Sequence, residues 1–152
     1  MVRDTGFNAV RVFITWPVFE PAAGSYNTTA FDNLRRLLDM ARAAELAVNL
    51  DLFVGGMSGA FYWPGWATGH NLYSDPMMTQ RTVAFARHAV RAVADFAGTI
   101  YAVSLGNEMN NVDTNPASGC TVPQILAWTD AIVSAIHAEL PGLCGLMGGW
   151  WW

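Results

Sequence analysis

The alternation of strand-like and helix-like segments constrains the fold of this chain more than any other feature. Apolar runs rich in β-branched residues predict strands over 8–15, 47–54 and 100–105, with a fourth beginning near Leu143. Apolar residues at spacings of three and four predict helices over 30–45, 76–97 and 123–140. The order is therefore β-α-β-α-β-α-β, which is typical of a parallel sheet covered by helices.

The predicted helices have recognisable beginnings and apolar faces. Thr28 or Thr29 is the predicted N-cap of the first helix, and Asp75 followed by Pro76 is the predicted start of the second. The buried stripe of the first helix is expected at Phe31, Leu34, Leu38 and Ala41. That of the third is expected at Leu126, Thr129, Val133, Ile136 and Leu140.

The loops that follow strands are longer than the loops that follow helices. In α/β barrels the loops after the strands build the active site, whereas the loops after the helices only turn the chain. A complete (β/α)8 barrel typically needs about 250 residues, and this chain has 152. We therefore expect an α/β fold, a partial (β/α)8 TIM barrel. A doubly wound open sheet is the alternative, but no glycine fingerprint of the form G-x-G-x-x-G follows any predicted strand.

Composition limits the class of protein and its partners. With 53% hydrophobic and 13% charged residues, the chain is apolar enough to bury a sizeable core. Its eight basic residues are all arginine and form no basic stretch, so we expect no nucleic-acid partner. No apolar run reaches the ~18 residues that cross a bilayer, so we expect no membrane partner. We expect no metal and no cofactor, because the two cysteines fit no metal-ligand spacing.

Candidate functional residues follow the predicted strands. Gly106-Asn107-Glu108-Met109 ends the third strand, and a carboxylate placed just past a buried strand stands at the rim of a sheet or barrel. Aromatic rings beside carboxylates and amides suit a sugar, whose C–H face packs on a flat ring while its hydroxyls need hydrogen bonds. The candidate substrate-binding residues are Trp16, Trp63, Trp66, His70 and Asn110. The alternative is that Trp63 and Trp66 only pack the long loop against the core.

Two segments carry a resemblance to a known family. Gly6 to Arg11, then Trp16, Phe19-Glu20-Pro21 and Gly24, resemble the second-strand region of clan A glycoside hydrolases. Leu105-Gly106-Asn107-Glu108 is similar to the Asn-Glu signature at the fourth strand of that clan. The closest family is family 5, which includes cellulases and mannanases. The resemblance covers nearly the whole chain and implies the N-terminal half of the catalytic barrel, roughly strands 2 to 5 with the intervening helices.

The resemblance also implies roles for three residues. Glu108 would be the general acid/base, which protonates the departing glycosidic oxygen and later activates water. Asn107 would hold the sugar 2-hydroxyl. Arg11 would orient the nucleophilic carboxylate and keep it ionised. We expect Glu108, Arg11 and Trp16 to open onto one cavity that binds a carbohydrate substrate.

The chain departs from the family pattern in two places. The second glutamate of the clan belongs to a seventh strand, which this chain does not reach, and no other carboxylate is an obvious substitute. Many family 5 members carry a histidine near the end of the third strand, where this chain has Phe53-Val54-Gly55-Gly56. The sugar specificity is therefore left open.

We expect residues 1–152 to be a single partial catalytic domain, an incomplete barrel without its C-terminal half. The expected function is that of a retaining glycoside hydrolase acting on a β-linked poly- or oligosaccharide, inactive as this fragment because the nucleophile is missing. The alternatives are a non-catalytic sugar-binding or dimerising half-barrel and a truncated gene product. Open barrel edges favour self-association. The chain begins without a signal peptide, and its compartment is left open.

Overall fold

The computed structural model describes residues 2–54, 57, 62–109, 119–143 and 146–148. The strands are Ala9–Phe13 (β1), Ala47–Val54 (β2), Ile100–Asn107 (β3) and Leu146–Gly148 (β4). The helices are Trp16–Phe19 (α1), Thr28–Ala43 (α2), Pro76–Ala92 (α3) and Val122–Glu139 (α4). No helix within these ranges has the length and apolar character needed to span a membrane.

All four strands are parallel and lie in the order β1-β2-β3-β4. The α/β prediction is confirmed, and the strand order is that of a barrel segment in which each strand lies beside the next in sequence. Because the strands are parallel, their carboxyl ends meet at one edge of the sheet. The register sets Arg11 beside Asn49 and Asp51 beside Ser104, which brings polar side chains from three strands together.

Helix α2 begins at Thr28, two residues before the predicted start at residue 30. The side chain of Asn27, rather than that of Thr28 or Thr29, caps the helix by accepting a hydrogen bond from the Ala30 N–H at 3.2 Å. The predicted face is confirmed, since Phe31, Leu34, Leu38 and Ala41 are buried.

Helix α3 begins as predicted, with Asp75 as its N-cap and Pro76 in its first turn. It ends at Ala92 rather than near Ala97, and a 3₁₀ turn over Ala94–Phe96 follows it.

The predicted buried face of α4 is wrong in part. Leu126 is 56% exposed, and the buried residues are Trp128, Ile132, Ala135 and Ile136. The physical reason is the indole of Trp128, which packs against the rings of Phe53 and Tyr73. Its Nε1 donates to Thr82 Oγ1 on α3 at 3.1 Å. Burying this large ring together with its N–H partner outweighs the leucine spacing read from the sequence.

An apolar groove of about 670 Å³ runs along β1 and the neighbouring face of α2. Among its lining side chains, Leu37 is 41% and Met40 is 73% exposed. Val10 and Val12 of β1 also line the groove. Strand β1 is an edge of the four-stranded sheet, so this face is the open flank of the fold.

Candidate active site

Arg11 and Asn107 meet at the carboxyl edge of the sheet, although 96 positions separate them in sequence. The Arg11 Nη1 donates to Asn107 Oδ1 at 3.0 Å, which joins β1 to the last residue of β3 across the intervening strand. Glu108 follows Asn107 directly and is exposed. The structure thus joins two of the three residues that the sequence analysis named as catalytic, Arg11 and Asn107, and the third, Glu108, is the next residue along the chain. They lie at the strand end where barrels carry their chemistry. We call Arg11, Asp51, Asn107 and Glu108 the strand-end corner.

Asp51 anchors the guanidinium of Arg11 from below. The Arg11 Nε donates to Asp51 Oδ2 at 2.8 Å, and Arg11 Nη2 contacts the same oxygen. The Asp51 side chain is fully buried, whereas that of Arg11 is 39% exposed. Burial raises the pKa of the Asp51 carboxyl to about 6, and the hydrogen bond from Arg11 acts in the opposite direction.

The backbone after Asn107 turns sharply and projects Glu108. Glu108 has a φ of 49°, in the left-handed region that residues other than glycine rarely adopt. Met109 is buried next, and the hydroxyl of Tyr73 donates to its carbonyl oxygen at 3.2 Å. Gly106 permits the turn, because a Cβ at that position would collide with the Phe53 carbonyl oxygen and the Met109 side chain. The turn therefore leaves Glu108 exposed directly after the end of β3.

Trp16 does not lie with this corner. Its side chain is 1% exposed, and the rings of Phe53, Trp63, Trp66 and Phe85 surround it. Its Nε1 donates to Glu20 Oε2 at 2.7 Å. The expectation that Trp16 contacts substrate is corrected, because an indole with this little exposed surface has no face to offer a sugar.

Glu20, which precedes the loop to α2, is also fully buried and both its oxygens are engaged. Oε1 accepts from the Gly24 N–H at 2.7 Å and forms an ion pair with Arg81 of α3. Trp66 Nε1 donates to the Glu20 carbonyl oxygen at 3.0 Å. We call Trp16, Glu20, Trp66 and Arg81 the aromatic cluster. Its hydrogen bonds and ion pair connect the loops after β1 and β2 to α3.

The fold was compared with solved structures. An exo-β-1,4-mannosidase from Opitutaceae bacterium strain TAV5 matches 92% of this chain at 39% identity and a TM-score of 0.85. A subfamily 18 enzyme of glycoside hydrolase family 5 from Streptomyces cattleya, solved with Manβ1-4GlcNAc, matches 93% at 30% identity and a TM-score of 0.85. The chain is a partial (β/α)8 barrel that is similar to part of each of these glycoside hydrolases.

The chain spans 25% of the length of the Opitutaceae enzyme and 36% of that of the Streptomyces enzyme. A subfamily 18 enzyme from Bifidobacterium longum subsp. longum ATCC 55813 matches 94% of the chain and 34% of its own length. Its identity of 23% and TM-score of 0.84 show the shared fold. No protein-family model and no curated protein matches the chain.

Of the other predicted substrate-binding residues, Trp63, Trp66 and His70 lie between β2 and α3. Trp63 is half-buried against Trp16, and its Nε1 is buried without a hydrogen-bond partner within the described ranges. His70 is exposed and its Nδ1 lies 2.6 Å from Asp75 Oδ2. This hydrogen bond, together with one from the Met77 N–H, lowers the pKa of Asp75, the N-cap of α3. Asn110 lies outside the residues that the structure describes.

Sequence reasoning missed two residues of the site. Asp51 and Asn49 are the polar residues of an otherwise apolar β2, and their alternation is a signal that could have found Asp51. Tyr73 lies in the loop after β2, and nothing in the sequence indicates its hydrogen bond to Met109. Within the described ranges, no group of three or more His, Cys, Asp and Glu side chains could hold a metal ion.

Proposed function

We propose that this chain is the N-terminal part of a retaining glycosidase and that the strand-end corner is part of its catalytic site. The observation that supports this most strongly is the contact between Arg11 and Asn107, with Glu108 exposed next to it. The likeness to glycoside hydrolases at 39% and 30% identity agrees with the same reaction class. Residues 1–152 form, on this proposal, a single partial catalytic domain.

Glu108 is the proposed general acid/base. The left-handed turn gives its carboxyl a fixed position on the rim, where it can reach a glycosidic oxygen. Asn107 supplies an amide for the sugar 2-hydroxyl, and Arg11 holds that amide. Arg11 also provides positive charge that favours an ionised nucleophile next to it.

The proposed substrate is a β-linked mannoside. The Opitutaceae protein is named an exo-β-1,4-mannosidase, and the Streptomyces structure contains Manβ1-4GlcNAc. Trp63, Trp66 and His70, in the segment between β2 and α3, remain proposed substrate contacts, as does Asn110, which lies outside the described residues. Trp66 has its N–H committed to Glu20, so it would offer a ring face rather than a hydrogen bond.

The second carboxylate of the reaction comes, on this proposal, from a segment outside residues 1–152. A retaining mechanism needs two carboxyl groups about 5–5.5 Å apart. Asp51 is buried in an ion pair, and Glu20 is buried in the aromatic cluster. Glu45 follows α2 and Glu139 is the last residue of α4, so both precede a strand rather than follow one. The isolated chain should therefore not turn over substrate.

Activity can be tested in a fusion of residues 1–152 with the remaining barrel of the Opitutaceae mannosidase. We expect this fusion to release 4-nitrophenol from 4-nitrophenyl β-mannoside, while residues 1–152 alone do not. Glu108→Gln should lower the rate by about 10²–10⁴-fold, the usual share of general acid/base catalysis. Glu139→Gln, on the outer end of α4, is the matched control and should leave the rate unchanged. A Glu108→Gln fusion with full activity would contradict the assignment.

We also propose that the isolated chain self-associates through its open edge. The groove beside β1 exposes Leu37 and Met40 next to unpaired strand backbone, and a second copy would cover both. Sedimentation should show a concentration-dependent dimer that Met40→Glu weakens and Leu126→Glu, on α4, does not. A monomer at every concentration would contradict this.

A further inference from the structure

The Asp51 carboxylate is the buried member of the strand-end corner. Its side chain is fully buried in β2, between Phe13 of β1 and Ser104 of β3 in the strand register. Oδ2 is shared by two nitrogens of Arg11, whereas Oδ1 is buried without a hydrogen-bond partner among the described residues. A buried carboxylate with one unsatisfied oxygen destabilises the fold. Its presence therefore calls for an explanation, and a functional role is one.

The geometry links Asp51 to the exposed part of the site through a single side chain. Arg11 directs Nε and Nη2 to Asp51 and Nη1 to Asn107, so the guanidinium is held at one side and presents a donor at the other. Without the carboxylate, the Arg11 side chain, which is 39% exposed, could turn toward water. The position of the guanidinium therefore depends on Asp51.

Arg11 in turn fixes which end of the Asn107 amide faces it. A guanidinium carries five N–H donors and no acceptor, so the oxygen of the amide must face Arg11. The NH₂ end is thereby directed to the other side of the amide. An amide held in this orientation donates to a ligand hydroxyl, whereas the flipped amide would present an oxygen.

We infer that Asp51 is a positioning residue of this site, which acts through Arg11 to hold the Asn107 side chain with its NH₂ group oriented to donate to a sugar hydroxyl. The consequence for sugar binding rests on the proposed function. The hydrogen-bond relay from Asp51 through Arg11 to Asn107 does not, because it can be measured without any sugar.

The relay is tested by nuclear magnetic resonance of the ¹⁵N-labelled 152-residue chain, with the Asn107 side-chain NH₂ signals as the readout. Asp51→Asn should shift these signals, whereas Ser104→Ala should not. Ser104→Ala is the matched control, because it removes the 3.0 Å hydrogen bond to Asn49 on the same sheet without touching Arg11. In an Arg11→Gln background, Asp51→Asn should cause no further shift, since the residue that transmits its effect is gone.

A second measurement needs no variant that could fail to fold. In the wild-type chain the Asn107 NH₂ signals should follow pH with a midpoint near the Asp51 pKa of about 6. Arg11 is the charged side chain in contact with Asp51, and Glu108 is the titratable neighbour of Asn107 in the sequence. Asn107 signals that show no midpoint near this pKa would overturn the proposal, as would signals that do not respond to Asp51→Asn in the first measurement.

Calorimetric titration with Manβ1-4GlcNAc then separates this proposal from the proposed function. If the wild-type chain binds, Asp51→Asn should weaken binding about tenfold, and Ser104→Ala should leave it unchanged. If the wild-type chain does not bind while the Asn107 signals respond as expected, the relay stands and the sugar assignment fails. Unchanged affinity in Asp51→Asn would show that the relay does not serve binding.

Discussion

The strand-end corner and the aromatic cluster both contain a fully buried carboxylate paired with an arginine, yet the two differ in how completely that carboxylate is satisfied. Both oxygens of Glu20 accept hydrogen bonds, from Trp16 and Gly24, and Arg81 adds an ion pair. Among the described residues, only one oxygen of Asp51 has a partner, and its arginine is partly exposed. A complete set of partners indicates a structural fastening, whereas an incomplete set beside an exposed edge indicates a site.

The comparison also separates residues that the sequence presents alike. Trp16 and Glu20 follow β1, just as Glu108 follows Asn107, the last residue of β3. The difference is α1, the short helix over Trp16–Phe19, which turns the chain back and buries both side chains against α3. After β3 the left-handed turn at Glu108 projects its side chain outward.

The largest expected effect is the loss of the Glu20 carboxylate. Glu20→Ala leaves Arg81, whose side chain is 21% exposed, without its ion pair, and it removes the acceptors of Trp16 and Gly24. We expect the free energy of unfolding to fall by about 3–5 kcal/mol, the usual consequence of breaking a buried pair on one side. Denaturation in urea measures this change.

Asp95→Ala is the control for that experiment. Asp95 also pairs with an arginine, Arg35, but their side chains are 56% and 39% exposed. Its loss should lower the free energy of unfolding by about 0–1 kcal/mol. Equal losses in the two variants would mean that burial does not distinguish the aromatic cluster from a surface pair.

For Asp51 we expect the carboxylate to lower, rather than raise, the free energy of unfolding near neutral pH. Its folded pKa of about 6 lies above the ordinary value of 3.8, so between these values the folded chain holds a proton that the unfolded chain has lost. The free energy of unfolding should therefore fall as pH rises from about 4 to 6, by up to about 3 kcal/mol. Urea denaturation across this range measures the slope.

Asp51→Asn should remove this contribution and leave stability at pH 7 unchanged or raised, because the partly exposed Arg11 keeps its contact with water. The difference between the two profiles removes the contributions of carboxylates that both chains share. Among these are Asp75 and Asp95, whose lowered pKa values affect the free energy of unfolding below pH 4 and in the opposite direction. Parallel profiles for the wild type and Asp51→Asn would refute the raised pKa.

A smaller effect is expected for Trp16→Phe. The phenylalanine keeps most of the buried ring but cannot donate to Glu20 Oε2. The loss of a hydrogen bond to a charged group should lower the free energy of unfolding by about 1.5–3 kcal/mol. Affinity for Manβ1-4GlcNAc, measured by calorimetry, should not change. A variant that keeps its stability but loses the sugar would return Trp16 to the binding site.

The sequence was sufficient for the fold because periodicity and strand-to-helix order are local properties. The strands over 47–54 and 100–105 and the start of α3 at Asp75 were all readable in this way. The rotation of α4 was not, because it is set by the fit of Trp128 between Phe53 and Tyr73, which is known only once the elements are packed.

The site was predicted where family resemblance named its residues and missed where only geometry defines them. Arg11 and Asn107 form a hydrogen bond and Glu108 is the next residue after Asn107, while the catalytic roles of all three stay predictions. The burial of Trp16 and the role of Asp51 depend on which face of a strand or helix each side chain occupies. A shift of one residue in a strand moves every side chain to the opposite face of the sheet. Composition alone does not indicate which face a given residue occupies.

The most direct test of the account is a titration of the ¹⁵N-labelled chain with Manβ1-4GlcNAc, followed by nuclear magnetic resonance. We predict saturable shifts of the Asn107 and Glu108 backbone amides, while the indole N–H of Trp16 stays fixed. Shifts at the Trp16 indole with none at Asn107 and Glu108 would contradict the claim that the strand-end corner receives the sugar.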